Sequence, residues 1–225
     1  VYIAQPPLYK IKRKRREQYI DNDEELNRIL LELGSEDVIL KRIRDDHTFT
    51  SEQIDKVVET LAQLERLGAG VTRYGVRLDT YLDAHEGDHA LPRYIARIRE
   101  GNQESFEFLK DDIARSEFAV RMGLNEDTSD HSDASEESAS DAATTEITPG
   151  VFRRVSVHEI YEGNEMSKLV QAIANIGLEI KQFSATEEPR YVLTENKGQK
   201  NESITEAYSI LEVLAAIRSN GRRGL

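Results

Sequence analysis

Residues 125–148, NEDTSDHSDASEESASDAATTEIT, hold eight acidic side chains, no lysine or arginine, and one large apolar residue, Ile147. Such a stretch cannot bury enough apolar surface to offset the entropy of ordering it. It is expected to be a disordered acidic linker that divides the chain, so cores must form on either side of it. The whole chain has 225 residues, enough for one large domain or two small ones. Apolar residues make up 38% and charged residues 32%, with a formal net charge of −12, which supports modest cores under a strongly solvated surface. Cysteine is absent, which excludes disulfides and thiolate metal sites. No run approaches the roughly 18 apolar residues a spanning helix needs, and no signal peptide is expected. A reducing, cytoplasmic setting without a membrane is the expectation.

Upstream of the acidic stretch the pattern alternates between helix and strand signals. Asp21 or Asn22 can cap a helix carrying Leu26, Ile29, Leu30 and Leu33, which Gly34 should end. DVILKRI (37–43) reads as a strand. Thr50 and Gln53 form a capping box for a helix with Ile54, Val57, Val58, Leu61, Leu64 and Leu67 on one face, closed by LGAG. Leu78, Tyr81 and Leu82 hint at a further helix. Residues 93–100 and 104–110 alternate around a Gly-Asn step and predict a β-hairpin, followed by a helix over 111–122.

Downstream, 151–161 reads as a strand and Asn164 as the cap of a helix through Met166, Val170 and Ile173, closed by Gly177. A strand over 190–195 follows. SITE (203–206) looks like a second capping box before a helix with Ile210, Leu211, Leu214 and Ile217 that stops at Asn-Gly. Helices mixed with short, mainly antiparallel strands, without regular βαβ order, imply an α+β fold. The expected organisation is 1–20 with a basic run, a lobe over 21–124, the linker over 125–148, and a second lobe over 149–225.

Chemistry-bearing motifs are few. Lys10, Lys12, Arg13, Lys14, Arg15 and Arg16 put six cations into seven positions of an acidic chain. An extended segment would place Lys12, Lys14 and Arg16 on one side and Arg13 and Arg15 on the other, against a phosphate backbone. The ordinary alternative is a solvated cluster. HEGDH (85–89) matches a zinc-hydrolase pattern, but that chemistry needs a regular helix, and Gly87 and Pro92 oppose one. A polar loop with two solvated histidines is the plainer reading. GAGVTRYG (68–75) follows a helix, whereas phosphate loops open one, so it reads as a helix end. The pairs Asp45–Asp46 and Asp111–Asp112 and the histidines 47, 131 and 158 form no catalytic constellation. The catalytic and metal assignments are therefore none.

Two phrases resemble a known family. YIAQPPLYKIKRKRREQYI is similar to the segment that leaves the Toprim domain in the gyrase B family of type IIA DNA topoisomerases. SITEAYSILEVLAAIRSNGRRGL resembles the helix leading into that family's QRYKGLGEM stretch. The resemblance implies the end of a Toprim domain, residues 1–20, followed by a long insert that returns toward it. It implies a whole enzyme that passes duplex DNA through a double-strand break using ATP and Mg²⁺, in a heterotetramer with the gyrase A subunit. The family's Mg²⁺-binding acids, ATP site and cleavage tyrosine match no residue here, so no cofactor is expected in this segment. The resemblance also implies that QRYKGLGEM follows Leu225, and that the basic run lies near DNA at the cleavage gate. The insert would then act as scaffold and DNA guide. The competing expectation is an independent protein-interaction module with an acidic docking tail.

Overall fold

The structure, a computed structural model, describes residues 7–13, 16–85, 90–124, 141–148, 151–178 and 183–223. In chain order these form strands β1 (Tyr9–Arg13) and β2 (Arg16–Ile20), helix α1 (Asp23–Ser35), and strands β3 (Val38–Arg42) and β4 (His47–Thr48). Helices α2 (Ser51–Thr72) and α3 (Leu78–Asp83), strands β5 (Tyr94–Glu100) and β6 (Gln103–Leu109), and helix α4 (Asp112–Met122) follow. The remainder is β7 (Asp141–Thr148), β8 (Val151–Glu159), α5 (Gly163–Asn175), β9 (Tyr191–Glu195), β10 (Ser203–Ala207) and α6 (Ile210–Arg223). The fold is α+β, and every strand pairing among the described residues is antiparallel. No helix among the described residues is long and apolar enough to cross a membrane.

Local signals explain most of these elements. Asn22 caps α1 by accepting from the Glu25 amide at 2.7 Å. Thr50 and Gln53 form the reciprocal capping box at the start of α2, at 3.3 and 2.9 Å. Asp111 caps α4 through the Ala114 amide at 2.9 Å, and Gly123 ends that helix in the left-handed conformation. The β5–β6 hairpin closes at Gly101, whose φ is +57°.

The division of the chain differs from the expected lobes at 21–124 and 149–225. One compact unit joins Val1–Gln63 with Ile173–Leu225, and the other is Leu64–Ala172. Strand pairing forces this. β9 lies between β3 and β10 in the first unit, and β8 lies between β5 and β7 in the second. Each sheet therefore draws strands from both sides of the acidic stretch. Residues 125–140 of the expected linker lie outside the described residues. Asp141–Thr148 is a correction: it is strand β7, paired with β8. Ladder hydrogen bonds supply what apolar side chains cannot, and Thr144, Thr145, Ile147 and Thr148 are β-prone.

In the first unit, α1 and α6 pack against each other through glycine. A Cβ on Gly34 would sit 1.9 Å from the Ile217 carbonyl oxygen, and one on Gly221 would sit 1.9 Å from that of Leu30. Neither glycine ends its helix as expected, because both are needed where the two backbones touch. The buried α6 stripe of Ile210, Val213, Leu214 and Ile217 continues into Gly221. SITE is likewise strand β10 rather than a cap. The cap of α6 is Ser209, whose Oγ accepts from the Glu212 amide at 3.2 Å, while Glu212 accepts from the Tyr208 amide at 2.7 Å. Arg223 in the last turn reaches the nearly buried Glu195 of β9 at 3.0 Å.

In the second unit one face of the sheet buries Tyr94, Ala96, Leu109 and Val155 against Phe118 of α4. The other face carries Ile95, Arg97, Arg99, Phe106, Phe108, Arg154, Ser156 and His158, by the strand register. Tyr81 packs edge-on against Phe108 over this face, and its hydroxyl donates to the Pro92 carbonyl at 2.7 Å. LGAG does not close α2, which runs on to Thr72. Gly68 makes room for Leu78, whose side chain would lie 2.6 Å from a Cβ there.

Candidate nucleic-acid interface

The basic run folds as an antiparallel hairpin rather than one extended segment. Tyr9 pairs with Ile20, Lys10 with Tyr19, Ile11 with Gln18, Lys12 with Glu17, and Arg13 with Arg16. Ile11 and Ile20 are buried and define the inner face. Lys10 and Lys12 therefore share the outer face with Glu17 and Tyr19. This corrects the expected grouping of Lys12 with Arg16, because side-chain alternation does not carry through a chain reversal. Arg16 stands opposite Arg13 instead. Lys14 and Arg15 lie outside the described residues.

The outer face is partly neutralised from within. Lys10 lies 2.7 Å and Lys12 3.9 Å from Glu17, and the Lys10 ammonium sits 5.6 Å from the centre of the Tyr19 ring. Glu17 holds the Lys10 pKa above its ordinary value. These pairs are exposed, with Lys12 at 69%, so they are weak and a phosphate can replace Glu17. The Tyr9 hydroxyl donates to Asp23, joining the hairpin to the first turn of α1, and this anionic partner raises the tyrosine pKa.

The other motifs resolve into structure. Asp45 accepts from Arg42 at 2.8 and 2.6 Å, which holds its carboxyl down at about 2, and Asp46 pairs with Lys41 at 2.7 Å. Asp111 is a helix cap, and Asp112 pairs with Arg93 at 2.7 Å. In HEGDH, His85 follows α3 and its Nδ1 lies 2.8 Å from the Leu82 carbonyl oxygen; residues 86–89 lie outside the described residues. Among the described residues no three metal-ligating side chains cluster. His47 packs edge-on against Phe49 at 4.8 Å, and His131 lies outside the described residues.

A second cationic group had no signal in the sequence, because its members are far apart along the chain. On the outer sheet face of the second unit, Arg99 of β5 stands directly opposite Arg154 of β8. Arg99 also stands opposite Glu104 of β6, and Arg154 opposite Thr144 of β7. The Glu104 carboxylate takes both Arg97, at 2.6 Å, and Arg99, at 2.9 Å, which holds its pKa below the usual range. Along the same face the imidazole of His158 stacks on Tyr74 at 4.3 Å, and the Arg73 guanidinium lies 4.7 Å from the Tyr74 ring centre. Burial lowers the His158 pKa, with Arg97 and Arg73 adding to the effect.

No protein-family model matches the chain. A stretch of 103 residues, 46% of the chain, is 24% identical to the B subunit of DNA gyrase from Chlamydia pneumoniae and spans 13% of that protein.

Proposed function

We propose that this chain is a segment of a type IIA DNA topoisomerase of the gyrase B kind, running from the end of the Toprim domain through an insert. In this reading the insert has no catalytic residues of its own. It scaffolds the surrounding enzyme and guides duplex DNA near the cleavage gate. ATP, Mg²⁺ and a gyrase A partner belong to the whole enzyme. The similarity to the B subunit of DNA gyrase supports the family context. The observation that carries the DNA contact is the β1–β2 register, which pairs Tyr9–Arg13 with Arg16–Ile20 and leaves Lys10 and Lys12 on one exposed face. A compact cationic hairpin presents charge to a duplex without needing base contacts.

The test is duplex affinity of the full-length protein with its gyrase A partner, measured against salt. Each phosphate contact contributes roughly 0.9 to the log–log slope. Replacing Lys10, Lys12, Lys14 and Arg15 with Ala should flatten the slope by about two to four units by the same relation. Glu17→Gln should strengthen binding, since it removes the carboxylate that competes with phosphate. An unchanged slope in the alanine variant overturns the hairpin contact and leaves the run as solvated surface.

A further inference from the structure

Like charges directly opposite on neighbouring strands destabilise a sheet. Arg99 and Arg154 occupy such a pair, and no carboxylate stands directly opposite Arg154 in either neighbouring strand. The chain has 42 acidic residues, yet a threonine, Thr144, stands on the far side of Arg154. Glu104 is shared by two arginines, and Glu146 of β7 stands opposite Phe152 on the same face, so the four arginines Arg73, Arg97, Arg99 and Arg154 outnumber the two carboxylates the register places there. The opposite sheet face differs: there Arg153 pairs with Glu100 at 2.5 Å, and Arg121 pairs with Glu107.

We propose that the open part of this face, built on Arg73, Arg99 and Arg154 beside Phe152, binds the phosphate backbone of double-stranded DNA. The inference rests on the topoisomerase reading only for the identity of the polyanion; the demand for an anion comes from the opposed arginines. Duplex DNA carries about one charge per 1.7 Å of axis, which suits a row of guanidinium groups. Arg97 and Arg99 repeat at the two-residue spacing of a strand, about 6.6–6.8 Å, so the row extends along the surface. A single strand would need successive open rings on which to stack its bases. Here the Tyr74 ring is already engaged by His158 and Arg73, and Phe152, 54% exposed, offers a single platform. The face is therefore better suited to phosphate contact than to base stacking.

The experiment compares two variants of the full 225-residue chain, Arg73→Gln/Arg99→Gln/Arg154→Gln and the hairpin variant above. Each binds a labelled 40-base-pair duplex, roughly four helical turns, across a salt series. The sheet variant should flatten the slope by about two to three units, at roughly 0.9 per contact. The corresponding triple-lysine variant should restore most of it, which a merely structural role would not do. If the hairpin variant flattens the slope and the sheet variant does not, the inference is overturned and the hairpin reading stands. The reverse result supports the inference and removes the hairpin contact. If neither variant changes the slope, or the chain does not bind duplex, both are overturned. A sheet-dependent slope seen only with single-stranded DNA overturns the duplex assignment. So does competition by a synthetic peptide of residues 125–140 in the absence of any sheet-dependent duplex binding.

Discussion

Each unit of this protein contains a violation of local rules, and the two are handled differently. In the first unit, glycines stand inside α1 and α6, where intrinsic propensity costs about 1 kcal/mol apiece. The fold itself explains them, because each glycine lies where the other helix's backbone arrives. In the second unit the violation is electrostatic: Arg154 abuts Arg99 across the sheet. No carboxylate stands directly opposite Arg154 in either neighbouring strand. An oddity resolved by the chain's own packing points to stability. One left open at an exposed surface points outward, to a partner of opposite charge.

The strongest way to break this comparison is to add a methyl group at each glycine. Gly34→Ala with Gly221→Ala should destabilise the first unit by roughly 3 kcal/mol or more, because the obstructing atoms are backbone and cannot rotate away. Denaturant unfolding measures this. A loss below about 1 kcal/mol, no more than a minor repacking, would mean the helices do not meet backbone to backbone.

A smaller effect of opposite sign is expected in the second unit. Arg154→Thr should raise stability at low salt by roughly 0.2–1 kcal/mol through relief of the like-charge pair, and the gain should shrink as salt is added. The same change should weaken duplex binding. A fall in stability would show that Arg154 is used within the fold, and the contrast between the units would collapse.

The smallest expected effect is the pH response of the same face. His158 has its folded pKa lowered by burial and by Arg97 and Arg73. The unfolded chain therefore binds the proton more readily. Stability should decline as pH falls through the ordinary imidazole value of about 6.5 and level off below the folded pKa. His158→Asn should remove that part of the slope. A slope that survives the substitution would place its source elsewhere.

Much of the architecture is legible in short-range signals. Asn22, the Thr50–Gln53 box, Asp111, Gly101 and Gly123 act within a turn of their own position, so propensity and hydrogen bonding suffice to read them. Gly34, Gly68 and Gly221 look like helix ends in the sequence for the same reason in reverse: what they accommodate comes from elsewhere in the chain. SITE shows how narrow the margin is, since the true cap, Ser209 with Glu212, has the same spacing six residues later. The basic run is legible as charge, but its faces are not. An extended segment and a hairpin share one sequence pattern and differ only in whether the chain reverses.

The sequence by itself determined the α+β class, the positions of most helices and strands, and the concentration of cations between Lys10 and Arg16. These follow from periodicity, capping and composition, which are local. Tertiary structure alone decided that β9 enters a sheet with β3 and that β8 pairs with β5, dividing the chain differently from its composition. It alone placed Arg154 beside Arg99, 55 positions away in the chain. Strand pairing is a contact between backbones that carry no residue identity, so the register setting those neighbours emerges only when whole faces are buried together.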